Sequence, residues 1–454
     1  MSCVDTTKTD SRIRQTVREM QNRPTVWFDA TTVHKLRNQT PVGLTRIEAN
    51  VLQGAMQEKR FRTRFCIYDR YSDGLVSLAE DAVRNYTTAY GNSPRPVSRK
   101  EIAGKGGAWR SSGRSLERSL RVSLRSIAGH TKRRLGIRAD LPWRAGDAFV
   151  ISGSTWDTIS VDLLEDLTTN RGVRLICILS DMIPYHFPHH FQEPESVAKF
   201  VRFVGFLARS AASVVCISHS TEREFVEFAQ HVHGTLPATK VIHLGSDSST
   251  SRPATRPALP HDVDSRGFVL NVGTVQVRKN HQLLYNLWRR LAQTRGDSLP
   301  YLVIAGAKGW LTSELLHQIE VDPIASKVIK VMHHVSDADL HWLYNHCQFT
   351  LYPALHEGWG LPIVESMQHG KPCIASSTSS MPEAGQGLTT SLDPLDFHSW
   401  QAKIIQWISD PEELKRESAW IMKHFRHRTW DNFRGDFFNH IDTLLSGQTS
   451  RLAA

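Results

Sequence analysis

The stretch HEGWGLPIVESMQHGKPCIAS, residues 356–376, follows an apolar run, CQFTLYPA (347–354). It passes through a Gly-Trp-Gly-Leu-Pro turn and continues as PIVESMQHG, a helix start with Pro362 suited to its first turn. The apolar run predicts a strand, so the turn lies at a strand's carboxyl end, where α/β folds bind ligands. Gly358 and Gly360 let the backbone approach a ligand closely, and Leu361 opens a helix whose free N–H groups suit a phosphate. Glu365, about one turn in, is placed to accept both hydroxyls of a ribose, and Glu357 those of a second sugar. On this stretch alone the alternative stays open, because a Glu near a helix start also simply complements the dipole.

A second stretch, GFVLNVGTVQVRKNHQLL (267–284), reads as a strand, then Gly273-Thr274, then Arg278-Lys279, then Asn280 as a helix N-cap. Two adjacent cations at a strand's carboxyl end are suited to a diphosphate. Acid for ribose, acid for hexose and cations between them compose a nucleotide-sugar site.

Short apolar runs alternate with amphipathic stretches along most of the chain. TVWFDA, FCIYD, DAFVISG, RLICILSD, SVVCIS and KVIHLG occupy the first half; GFVLNVG, YLVIAG, VIKVM, CQFTLYPA and KPCIAS the second. They are nearly continuous rather than alternating, as in strands buried on both faces, and the rhythm is βαβ. A Ser/Thr/Pro-rich break near 246–266 separates the halves. The expected organisation is a tail (1–22), a first Rossmann-like domain on the acceptor side (23–248), a linker (249–265), a nucleotide-sugar domain (266–425), a crossover helix (426–447) and a tail (448–454). In the last helix Trp430, Phe433, Phe437, Ile441 and Leu444 form the apolar stripe.

The chain has 454 residues and a net charge of +10. Residues 98–138 hold twelve Lys or Arg and two Glu, an excess equal to that of the whole chain. Within them Leu116, Leu120, Leu124 and Ile127 share one helical face, and Arg114, Arg118, Arg121 and Arg125 the opposite one. This basic insertion is suited to an anionic membrane surface; the alternatives are packing on the first domain or a loop. Trp109 is its only aromatic, which argues against nucleic acid. No apolar run reaches the ~20 residues of a membrane span, and no secretory signal is visible. None of the six cysteines forms a CxxC pair, and four (Cys66, Cys177, Cys216, Cys373) lie in strand-like runs, so buried reduced thiols and a cytoplasmic place are expected. His186, His189 and His190 look metal-like by composition, but their Pro-rich spacing argues against a metal site.

The two stretches VGTVQVRKNHQLL and HEGWGLPIVESMQHGKPCIAS resemble the signature of glycosyltransferase family 4, retaining enzymes of the GT-B fold, and especially its mannosyltransferase-like bacterial members. Glu357 and Glu365 match the family's E-x7-E motif, and Arg278 and Lys279 its diphosphate pair. DATTVHKLRNQTPVGLTRIEANVL is similar to the family's loop-helix near the donor phosphates, carried by Gly43 and Arg46. LSDMIPYHFP is similar to its HD-x-x-P segment, with Ser180 where His is usual; CISHSTEREF and VIHLGSD also match. The resemblance implies two Rossmann-like domains facing a cleft and retaining transfer of a hexose, with GDP-mannose favoured, to a glycan or lipid-linked oligosaccharide in surface polysaccharide or lipopolysaccharide biosynthesis. It implies no cofactor or metal, because fixed cations replace one; the basic insertion, which the resemblance does not cover, adds the expectation of a peripheral place at the inner face of the membrane. Asp181, at a strand end, would position the acceptor or take its proton; its other reading is a cap for the turn around Pro184. Two rivals fit the same residues: a GT-B sugar-nucleotide epimerase, and a non-catalytic glycan- or membrane-binding relative.

Overall fold

The structure is a computed structural model, and it describes residues 24–37, 43–70, 72–88, 141–233, 236–247 and 254–447. The basic insertion, both tails and Cys3 lie outside the described residues. The chain divides into two compact units. One comprises Met1–Ile178, Phe206–Val214 and Arg434–Ala454; the other comprises Leu179–Gly205 and Val215–Phe433.

Thirteen strands are described. They are β1 (Thr25–Asp29), β2 (Arg62–Asp69), β3 (Gly74–Leu78), β4 (Ala148–Ile151), β5 (Arg174–Leu179), β6 (Ser213–Cys216), β7 (Ala238–Val241), β8 (Phe268–Val272), β9 (Tyr301–Ala305), β10 (Ile329–Met332), β11 (Thr350–Tyr352), β12 (Cys373–Ser376) and β13 (Thr390–Leu392). Two sheets result, of order β3-β2-β1-β4-β5-β6-β7 and β10-β9-β8-β11-β12-β13. The pairings of β8, β9, β10, β11, β12 and β13 are parallel. The expectation of a parallel first sheet needs one correction. β2 and β3 pair antiparallel, with Asp69 opposite Gly74, because the short connection Arg70–Asp73 permits only a hairpin.

In the first unit, Phe438 of the Trp430–Leu445 helix packs on Phe28 and Phe61, with ring centroids 5.9 and 6.2 Å apart. It also covers Gly54, where a Cβ would overlap its ring. Phe433, Phe437 and Ile441 are fully buried, as the apolar stripe requires. The five described cysteines are free and buried.

The same unit buries two acids completely. Asp29 accepts from the Thr31 backbone at 3.1 Å and from the Thr31 and Thr155 hydroxyls. Glu48 accepts from the Thr32 backbone at 3.1 Å through Oε1, while its Oε2 has no hydrogen-bond partner. Burial pushes the Asp29 carboxyl up to about 6, and burial together with the Asp29 charge pushes Glu48 well above its ordinary range. Both folded values exceed the unfolded ones. The stability these groups contribute is therefore complete below the unfolded values and is lost as pH rises, through about 6 for Asp29. Glu48→Gln removes the charge at constant shape. It is expected to stabilise the protein at pH 8, where the unfolded carboxyl is ionised and the folded site disfavours that charge, and to flatten the decline between pH 5 and 8. Calorimetric melting at the two pH values checks this; an unchanged slope counts against it.

Candidate active site

All side chains described in this subsection belong to the second unit, except those of Gly43 and Arg46. β8 ends at Val272, and the chain turns through Gly273 (φ 143°) into a 3-10 turn, Val277–Lys279. Gly273 is forced to glycine by that φ. Its carbonyl lies so close to Gly306, after β9, that a Cβ on Gly306 would overlap it. Asn280 follows with φ 56°, a left-handed conformation that Asn tolerates. It does occupy the cap position of the His281–Arg295 helix, but its side chain makes no cap. Its amide donates to the Pro394 carbonyl at 2.9 Å instead.

β11 ends at Tyr352, and the loop that follows carries Glu357. Gly360 (φ 118°) turns the chain into the Leu361–Gln368 helix, with Pro362 in its first turn as expected. Gly358 has a different cause. A Cβ there would overlap the Ser180 carbonyl oxygen and lie 2.9 Å from the Asp181 Cβ. The close approach that demands glycine is thus made by the protein's own backbone. Hydroxyls after β12 hold the loop from the other side. Thr378 donates to the Leu355 carbonyl at 2.9 Å, Ser380 donates to the carbonyls of Glu357 and Trp359 at 2.8 Å each, and the Ser379 hydroxyl accepts from the Glu357 backbone at 3.0 Å. Sequence reasoning passed over this run, although a hydroxyl-rich segment at the carboxyl end of a strand was a visible signal.

Arg278, Lys279 and Glu357 meet. Arg278 Nη1 donates to Glu357 Oε1 at 2.5 Å and to the His356 carbonyl at 3.2 Å. Lys279 Nζ lies 2.5 Å from the same Oε1 and donates to the Tyr352 hydroxyl. That hydroxyl in turn donates to Oε1 at 3.1 Å. Every contact falls on one oxygen. Burial would raise the Glu357 carboxyl, but the charges of Arg278 and Lys279 outweigh it and hold it at about 2. Burial lowers Lys279 to about 8, helped by Arg278 and opposed by Glu357.

Asp181, after β5, accepts from the Ile183 backbone at 3.0 Å, so it does cap the turn around Pro184. Burial raises its carboxyl, the Arg278 charge lowers it in part, and Glu357 adds to the rise. Beside it stands a cluster that sequence reasoning missed. Glu224 lies 3.2 Å from His356 Nε2 and 3.6 Å from His186 Nε2, and accepts from Ser220 at 3.0 Å. Burial pushes Glu224 up to about 7 and His356 down to about 4. His186 thus serves this cluster and not a triad with His189 and His190. Glu365 stands apart from Glu357, accepting from the Tyr344 hydroxyl at 3.0 Å. In the first unit Gly43 opens the Gly43–Gln57 helix with no heavy atom within 4 Å of a Cβ, and Arg46 is half-buried one turn on.

A family profile described as "Glycosyl transferases group 1" matches residues 253–421, the span that holds Gly273, Arg278, Lys279, Glu357 and Glu365. These residues form a glycosyl transferase group 1 domain. O-antigen chain mannosyltransferase B of Escherichia coli is 27% identical over 225 residues, which cover 49% of this chain and 58% of that one. The serotype-specific mannosyltransferase WbdA of Escherichia coli is 21% identical over 290 residues, 61% of this chain and 34% of that one. The chain thus spans less than two thirds of these relatives. Among solved structures, Anabaena HepE in complex with UDP and glucose superposes with a TM-score of 0.57 at 14% identity, over 92% of this chain and all of that one. The fold is the GT-B fold, two Rossmann-like α/β domains. In the glycosyl transferase domain the sequence-expected pair Arg278 and Lys279 stands at the end of β8, and Glu357 follows β11.

Proposed function

We propose that the chain is a retaining hexosyltransferase that moves a hexose from a nucleotide-sugar to a glycan or lipid-linked oligosaccharide in surface polysaccharide biosynthesis. The observation that carries this reading is the convergence of Arg278 and Lys279 on Glu357 at the strand ends of a glycosyl transferase domain. Similarity to O-antigen mannosyltransferases favours GDP-mannose as donor. Arg278 and Lys279 neutralise charge growing on the leaving diphosphate, and being fixed in place they need no reorganisation at that moment. Backbone N–H groups at the start of the Leu361–Gln368 helix, with Thr274, complete the phosphate contacts. Among the described residues no partner reaches Glu357 Oε2, so that oxygen is left for a hexose hydroxyl, and Glu365 takes the ribose. Asp181 orients the acceptor hydroxyl. The fixed cations supply the charge that a metal ion would otherwise bring. No described helix is long and apolar enough to cross a membrane. Peripheral attachment at the inner face through Arg114, Arg118, Arg121 and Arg125 rests on the sequence of the insertion.

A thermal-shift screen with GDP-, UDP- and dTDP-sugars tests the reading. One donor, GDP-mannose, should raise the melting temperature as RT ln(1 + [L]/Kd) predicts. Glu365→Ala should abolish that shift for the bare nucleotide, whereas Glu357→Ala should keep it. No shift with any donor overturns the proposal, and release of free nucleotide without any extended acceptor replaces transfer by epimerase chemistry.

The pH profile carries a separate expectation. Glu357, held at about 2, stays charged across the working range. Lys279, lowered to about 8, loses its proton above that pH. Donor kcat/KM should therefore fall about tenfold per pH unit above 8. Lys279→Arg, which cannot deprotonate, should remove that limb. A flat wild-type profile to pH 9.5 counts against the assignment.

A further inference from the structure

Three side chains outside the diphosphate cations converge: His219, His243 and Glu383. They come from three separate segments. His219 is the first residue of the His219–His233 helix, His243 follows β7, and Glu383 sits in the Met381–Ala384 turn of helix. Their ligating atoms all lie within 4.8 Å of one another. Among the described residues no other group of His, Cys, Asp and Glu does so.

The carboxylate is held rigidly. His243 Nε2 meets Glu383 Oε1 at 2.6 Å, and the His219 backbone N–H donates to both carboxylate oxygens, at 2.9 and 3.1 Å. The His219 and His243 rings stand nearly perpendicular, at 84°, with centroids 5.7 Å apart. The His243 ring lies on Trp359, 4.8 Å away and inclined by 23°, so it has a fixed wall behind it. The His219 side chain is 60% exposed, which leaves an entry path and room for water.

Hydrogen bonding to Glu383 does not require the His219 ring. The backbone N–H of His219 and the ring of His243 already satisfy Glu383. The His219 imidazole, whose Nδ1 lies 3.5 Å from Glu222 Oε2, is brought to the same point and adds a second nitrogen donor there. Two imidazoles and one carboxylate are a donor set that zinc takes in three-ligand sites, with water in the open position. We propose that His219, His243 and Glu383 bind a zinc ion. The ion would tie together segments that are 24 and 140 residues apart in sequence, counted from His243, and would brace Trp359 in the Glu357 loop. This goes beyond the transfer reading and does not depend on it.

The test uses the full-length untagged protein, stripped of metal with chelator. Zinc titrated calorimetrically should bind with one equivalent, and cobalt should give the visible bands of a four- or five-coordinate site. His219→Ala keeps the backbone N–H that anchors Glu383, so it retains the local structure while losing one ligand. His219→Ala and His243→Ala should each weaken binding at least tenfold, and zinc should raise the melting temperature of the wild type but not of His219→Ala. The chain holds 22 histidines, so adventitious binding is the rival outcome. Absence of one-equivalent binding, or binding that persists unchanged in both histidine variants, overturns the proposal.

Discussion

Arg278→Ala should lower kcat by about 10²–10³, the cost of removing one preorganised donor from a developing negative charge. The effect is large because Arg278 has two duties. Its guanidinium neutralises Glu357, and it ties the loop through the His356 carbonyl. Lys279 alone then faces both Glu357 and the incoming diphosphate. Arg278→Lys should recover little, because an ammonium cannot reach two acceptors with a planar fork. Lys279→Ala should have a similar effect and also frees the Tyr352 hydroxyl. Steady-state kinetics with the donor found by the screen decides this. A kcat within threefold of wild type for Arg278→Ala would falsify the role given to the pair.

The second large effect is on stability. Gly358→Ala introduces a Cβ where the Ser180 carbonyl oxygen already stands. The loop cannot slide away, because Thr378, Ser379 and Ser380 pin its backbone. Overpacking costs about 1–3 kcal/mol, and two fixed backbones facing each other place this case at the upper end. Denaturant titration should show a midpoint loss equivalent to about 3 kcal/mol. Gly43→Ala, at an open helix start, is the control and should be nearly neutral. Equal midpoints for the two variants would mean that the loop yields more easily than its hydrogen bonds suggest.

The strands that sequence reasoning located were those with long Val/Ile/Leu runs: β1, β4, β5, β6 and β8 to β12 all fall on or inside the quoted runs. β3 and β13 escaped it. β3 is an edge strand with Ser77 at its exposed face, and β13 is three residues, Thr390–Leu392, none fully buried. β13 carries almost no apolar signal, and that of β3, Leu75, Val76 and Leu78, is too short to stand out. In the site, residue types and loop positions were legible, because glycines and adjacent cations at strand ends have a local cause. Pairings were not. Arg278 and Glu357 are 79 residues apart, and His356 and Glu224 are 132 apart. No periodicity announces such a meeting. The Gly358 reading shows the same limit: the sequence indicated a close approach, and only the fold shows that a carbonyl makes it.

That carbonyl belongs to every amino acid. The loop bearing Glu357 rests on main chain at position 180, and any residue there supplies that carbonyl. The Ser180 hydroxyl is buried without a hydrogen-bond partner, and the seat holds regardless. Residue 180 meets the loop through a main-chain atom, whereas position 358 has no room for any side chain, so the two positions, though in contact, are constrained by different atoms.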